Sequence, residues 1–107
     1  MKVFYIWIVL LLGVCNLKAQ TYDELVEKSF DFLEKDDLVS AEQYLKSALK
    51  LEPANSRNFL LLTNLGTIQR RLGKKEEALV SYSAGLGIHP RSITLLENRA
   101  SLYSEMN

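Results

Sequence analysis

The stretch Phe59–Ser92, FLLLTNLGTIQRRLGKKEEALVSYSAGLGIHPRS, decides the fold. Leu61, Leu62, Leu65, Ile68 and Leu72 recur with a spacing of three and four, which draws one apolar stripe along a helix. Gly73 follows directly and suits the left-handed residue that closes a helix. A second helical pattern runs on Ala78, Leu79, Tyr82 and Leu86. It ends before His89-Pro90, because proline pushes the residue ahead of it out of the helical region. The spacing therefore predicts two helices in a hairpin. Gly66 is expected to face Ala78 and Gly85, where small side chains let the helix axes approach closely.

The same punctuation recurs upstream. A helix is expected from Tyr22, capped by Thr21 or its neighbours, with Asp23 and Glu24 in its first turn, where negative charge suits the helix dipole. Asp36-Asp37 interrupts it, and a second helix on Leu38, Ala41, Leu45, Ala48 and Leu49 stops at Glu52-Pro53. Asp36, Ala41, Ala48 and Pro53 each lie 37 residues before Gly73, Ala78, Gly85 and Pro90 (73 − 36, 78 − 41, 85 − 48, 90 − 53), and Ser29 holds the same relation to Gly66. A third copy opens at Ile93, with Ala100 and Asn107 each 34 residues after Gly66 and Gly73. Small residues (Ser29, Gly66, Ala100) occupy one repeated position, and residues that tolerate a left-handed backbone (Asp36, Gly73, Asn107) occupy another.

Leu65-Gly66, Ala78, Tyr82 and Pro90 resemble the signature of the tetratricopeptide repeat, a helical hairpin with a period of 34 residues. Leu62 and Gln69 stand where that family has Trp and Tyr on the first helix. The resemblance implies an all-α fold, a right-handed α-solenoid of antiparallel helical hairpins with two full repeats plus one further helix. The organisation expected is a leader over 1–19, one repeat and linker over 20–58, a second repeat over 59–92, and the first helix of a third over 93–107. Measured against that period, the first interval carries three extra residues, expected within Asn55–Asn58. They would lengthen the third helix by about one turn, with Ser56 as its cap.

The start reads separately. Lys2 precedes Val3–Cys15, a charge-free apolar run, and Ala19 offers a small residue before a cut. That is the layout of a signal peptide, and the run is shorter than the about twenty residues that cross a bilayer. An uncleaved anchor and a lipoprotein attached at Cys15 are the alternatives. The localisation expected is export: periplasmic, secreted or attached to the envelope. Cys15 is the only cysteine, so a chain cut after Ala19 forms no disulfide.

A composition 48% apolar and 24% charged is that of an ordinary globular chain. Thirteen basic and thirteen acidic residues lack the basic excess of a nucleic-acid binder. The charge is uneven: Gln20–Ser56 holds 4 basic and 9 acidic residues (net −5), and Arg57–Asn107 holds 7 and 4 (net +3).

No catalytic constellation is evident. His89, the one histidine, sits in a turn beside Pro90, where exposure is the ordinary state, and no partner to orient it as a base can be named. No metal-ligand spacing and no phosphate loop occur, so no cofactor is expected. Asp36-Asp37 and Glu76-Glu77 read as turn and first-turn residues.

Recognition of a protein or peptide is the function the resemblance implies, with the first helix of each hairpin lining a concave groove. By that resemblance the groove takes Asp23, Val26, Phe30 and Leu33 from the first copy. It takes Leu60, Thr63, Asn64, Thr67, Arg70 and Arg71 from the second, and Thr94, Glu97, Asn98, Ser101 and Glu105 from the third. Val26, Phe30 and Leu33 beside Leu60 are expected to form an exposed apolar floor. The family branch that clamps a terminal carboxylate is matched only at Asn64. A structural or anchoring segment of a larger envelope complex, or of a longer repeat protein, is the alternative function. On the last helix, Ile93, Leu96, Ala100 and Tyr103 form one stripe, and Leu95, Leu102 and Met106 form a second. The second stripe has no later helix to cover it and is expected to drive self-association, or to mark a piece of a longer repeat protein.

Overall fold

The structure, a computed structural model, describes residues 20–107; the leader expected over 1–19, with its alternatives at Cys15 and Val3–Cys15, lies outside the described residues. Five α-helices and no strand occur among the described residues. They are α1 (Tyr22–Glu34), α2 (Leu38–Leu51), α3 (Asn58–Arg71), α4 (Lys75–Ile88) and α5 (Ile93–Met106). The chain is an all-α helical repeat, with α1/α2 and α3/α4 as hairpins and α5 packed on the second.

Three helices open on side-chain caps, Thr21 among them as expected. Thr21 Oγ1 accepts from the Glu24 amide at 3.2 Å and opens α1. Asp37 caps α2 through the Ser40 amide at 3.1 Å, and Ser92 caps α5 through the Leu95 amide at 3.3 Å. Both hairpins turn through one left-handed residue, Asp36 at φ 59° and Gly73 at φ 81°. The bonds around them match 37 residues apart: Asp37 N donates to Phe32 O at 2.9 Å, and Lys74 N to Gln69 O at 2.8 Å. This is the closure by which a left-handed residue satisfies the last helical carbonyls. Glycine adopts that backbone without strain, and aspartate is among the few other residues that do.

The three extra residues do not lengthen α3, which has 14 residues, as do α4 and α5. Ser56 caps nothing; Arg57 holds the cap position without a side-chain capping bond. The insertion is instead spent in turns, in which Asn55 Oδ1 accepts from the Arg57 amide at 2.9 Å. Asn58 opens α3 fully buried. Its Oδ1 accepts from the Tyr22 hydroxyl at 2.8 Å, and its Nδ2 donates to Glu52 O at 2.7 Å. A buried amide with both ends satisfied holds α1, the connector and α3 in one register.

Gly66 faces the Tyr82 ring, rather than Ala78 and Gly85 as expected. A Cβ on Gly66 would lie 2.5 Å from Tyr82 Cε1. Gly85 gives room to Leu95, whose methyl carbon would sit 3.0 Å from an added Cβ, and to Leu62. Small residues here accommodate individual large side chains.

Two apolar clusters form the core. Tyr22, Leu25, Val26, Ala41, Leu45 and Ala48 meet Leu61, Leu65 and Ile68, which joins the first hairpin to α3. Ala78, Tyr82 and Leu86 meet Leu95 and Leu102, which joins the second hairpin to α5. This corrects the expectation for the last helix. Leu95 and Leu102 are fully buried, and the exposed stripe is Ile93 (71%), Leu96 (43%) and Tyr103 (46%). Leu95 and Leu102 lie 34 residues after Leu61 and Ile68 (95 − 61, 102 − 68), and both pairs use the same face to pack on the preceding hairpin. Leu96 and Tyr103 lie 34 after Leu62 and Gln69, residues that α4 covers on α3. Met106 is half-buried against the second cluster. Self-association through Leu95 and Leu102 is thereby ruled out, because neither side chain is available.

Candidate partner-binding face

The first helices share one side of the molecule, as bonds between them show. Arg57, at the start of α3, donates to Asp23 of α1 at 3.1 Å, and Arg71, at the end of α3, donates to Asp36 at 2.7 Å. Arg70 of α3 grips α5: its Nε lies 3.0 Å from both Glu105 carboxylate oxygens, and its Nη2 donates to Ser101 at 2.8 Å. A planar guanidinium can hold a carboxylate through more than one N–H. Glu105 raises the Arg70 pKa, and Arg70 in turn holds the Glu105 carboxyl below its ordinary range. Arg70 and Arg71 thus serve inter-helix contacts.

The polar residues expected on α3 are also partly used locally. Thr63 donates to Phe59 O at 2.7 Å and Thr67 to Thr63 O at 3.0 Å, bonds to the preceding helical turn. With that donor spent, Thr67 accepts from the Tyr82 hydroxyl at 2.9 Å. Asn64 and Asn98 are half-buried, and no hydrogen bond from either side chain occurs among the described residues.

Of the apolar floor, Phe30 (41%) and Leu60 (51%) are exposed as expected. Val26 is not. Tyr22, Val26, Ser29 and Leu33 follow a spacing of four, three and four, so they share a stripe directed into the core. Val26 is 7% exposed, and Leu33 is half-buried against the same cluster. Phe30, one residue past Ser29, is rotated about 100° away, by 3.6 residues per turn, and so reaches solvent.

Beside Phe30 lies a cleft of about 360 Å3 lined by Asp23, Val26, Glu27, Phe30 and Arg57. Glu27 and Arg57 did not emerge from the sequence. Glu27 follows Asp23 by four and precedes Phe30 by three, so the α1 periodicity contained that signal. Arg57 comes from the turn before α3, where no periodicity operates. It also lies over the Tyr22 ring at 5.4 Å. His89 is exposed, its ring 4.8 Å from that of Phe59 near the start of α3.

Glu42 is the one buried carboxylate among the described residues. Burial alone would raise its pKa, but Lys74 at 2.8 Å and Lys46 at 3.4 Å outweigh burial and hold it below the ordinary value. Lys74 belongs to the second hairpin and Glu42 to the first, so the pair links them. No cluster of three or more metal-binding side chains occurs among the described residues, and no helix there is long and apolar enough to cross a membrane.

The sequence model described as tetratricopeptide repeat matches residues 61–91. No curated protein matches the chain. Among solved structures, a tetratricopeptide repeat protein from Parabacteroides merdae ATCC 43184 is 62% identical, with a TM-score of 0.79. The alignment covers 82% of this chain and 34% of that one, so the chain spans about a third of that protein's length. Its left-handed hairpin turns, its buried small-residue positions and these matches place the chain in the tetratricopeptide repeat family.

Proposed function

We propose that the face built by α1, α3 and α5 is a docking groove for a peptide or a partner's helix, and that the chain is a non-catalytic interaction module. Membership in a family of protein- and peptide-binding repeats supports the class of function. The observation that carries the site is the pair of large apolar side chains, Phe30 and Leu60, left exposed on first helices whose core stripes are packed. Export belongs to the same reading, and Lys2, the apolar run Val3–Cys15 and Ala19 support it.

Site-specific photocrosslinking tests the groove. A photoreactive residue at Leu60 should capture a discrete polypeptide, whereas the same residue at Val80 on α4, which is more open to solvent, should not. Capture at Val80 and not at Leu60 would move the binding surface to the other side of the hairpins. The mass of the mature N-terminus tests export, with Gln20 as the expected first residue.

A second reading, a structural segment of a larger assembly, has one observation in its favour: the exposed stripe Ile93, Leu96 and Tyr103 on α5. A crosslink from Leu96 in place of Leu60 would favour it.

A further inference from the structure

Resting on the groove reading, we infer that the cleft beside Phe30 takes a basic segment of a partner polypeptide. A lysine or arginine stem lies against Phe30, and its charge meets Glu27. The arginines of this face are already engaged. Arg57, Arg70 and Arg71 are each bound to an acid of the same face: Asp23, Glu105 and Asp36. Lys28 of α1 and Lys35, which follows its last residue, point elsewhere, with Lys28 over the Tyr44 ring at 5.6 Å and Lys35 over the Phe32 ring at 5.7 Å.

The carboxylates are in excess. Glu27 lines the cleft, is exposed, and has no ion pair among the described residues. Asp31 and Glu34 follow it by four and seven positions on α1, and neither is ion-paired among the described residues. The face therefore offers a net negative field around an exposed aromatic ring.

That combination selects among occupants. An acidic segment meets uncompensated like charge. A wholly apolar helix would cover Glu27 and strip its water without replacing the lost hydration, which is costly for an ionised group. A long basic side chain satisfies both features, because its methylenes cover apolar surface while its head stays polar. A cation near the Phe30 ring face gains further attraction from the ring quadrupole.

Fluorescence anisotropy with the purified protein tests this. The probes are two labelled peptides of equal length, one alternating Lys and Leu, the other alternating Glu and Leu. The Lys/Leu peptide should bind at least about tenfold more tightly, and Glu27→Lys and Phe30→Ala should each remove roughly that factor, a difference of about 1.4 kcal/mol. Glu76→Lys, on exposed surface of α4, changes net charge equally and should leave binding unchanged. Equal loss with Glu76→Lys, or no loss with Phe30→Ala, would mean general electrostatic adsorption and overturn the inference. A Glu/Leu peptide that binds better and depends on Phe30 would overturn the charge assignment and leave the groove standing. If neither peptide binds while the Leu60 crosslink forms, the cleft inference fails alone. If both experiments are negative, the groove reading fails with it.

Discussion

Ser81 donates a 2.5 Å hydrogen bond to Gln69, and both side chains are buried between α4 and α3. Thirty-seven residues earlier, at the same place in the first hairpin, Tyr44 stacks on Phe32 with centroids 5.4 Å apart (81 − 44, 69 − 32). One repeat closes with an aromatic stack and the next with a polar pair. The difference is energetic as well as chemical, since a buried polar pair is stable only while both members are present.

Gln69→Leu should therefore destabilise the second hairpin by about 1–3 kcal/mol, because the Ser81 hydroxyl would be buried without a partner. The double variant Gln69→Leu/Ser81→Ala should recover most of that loss, as removing both partners leaves nothing unsatisfied. Urea midpoints of the wild type, both single variants and the double variant give the coupling. An additive double variant would show that water satisfies Ser81.

The two stripes of α5 should respond very differently to truncation. Leu102→Ala removes a fully buried side chain from the second cluster and should cost about 2–5 kcal/mol. Leu96→Ala, at a position 43% exposed, should stay within about 0.5 kcal/mol, the range for surface substitutions. Thermal melts of the two variants decide it, and equal shifts would mean that Leu96 is covered in solution.

The Glu42 linkage should appear as acid sensitivity. Lys74 and Lys46 hold the folded-state pKa below the ordinary value of about 4.3 in an unfolded chain. A depressed carboxyl contributes its full stability above the unfolded value and loses it as pH falls through the folded one. The melting temperature should thus fall more steeply below about pH 4.3 in the wild type than in Glu42→Gln, with the wild type the more stable at pH 7. Parallel pH profiles for the two proteins would remove Glu42 from the account.

The sequence by itself determined the hairpins, because their signals are local. Apolar spacing, the caps Thr21, Asp37 and Ser92, the left-handed Asp36 and Gly73, and the stops before Pro53 and Pro90 each act within a few residues. The repeat offset then aligned the copies without reference to space. Which face of a helix each neighbour covers depended on tertiary packing. Both stripes of α5 are apolar and periodic, and only the seat of Leu95 against Gly85 shows which one is inside. Val26, expected in the groove floor, shares a buried stripe with Tyr22 and Ser29. Arg70 and Arg71, expected in the groove, are bound to Glu105 and Asp36 across the stack. Partners 31 to 36 residues apart meet only after the hairpins stack, and side-chain pairing over that distance leaves no trace in local periodicity.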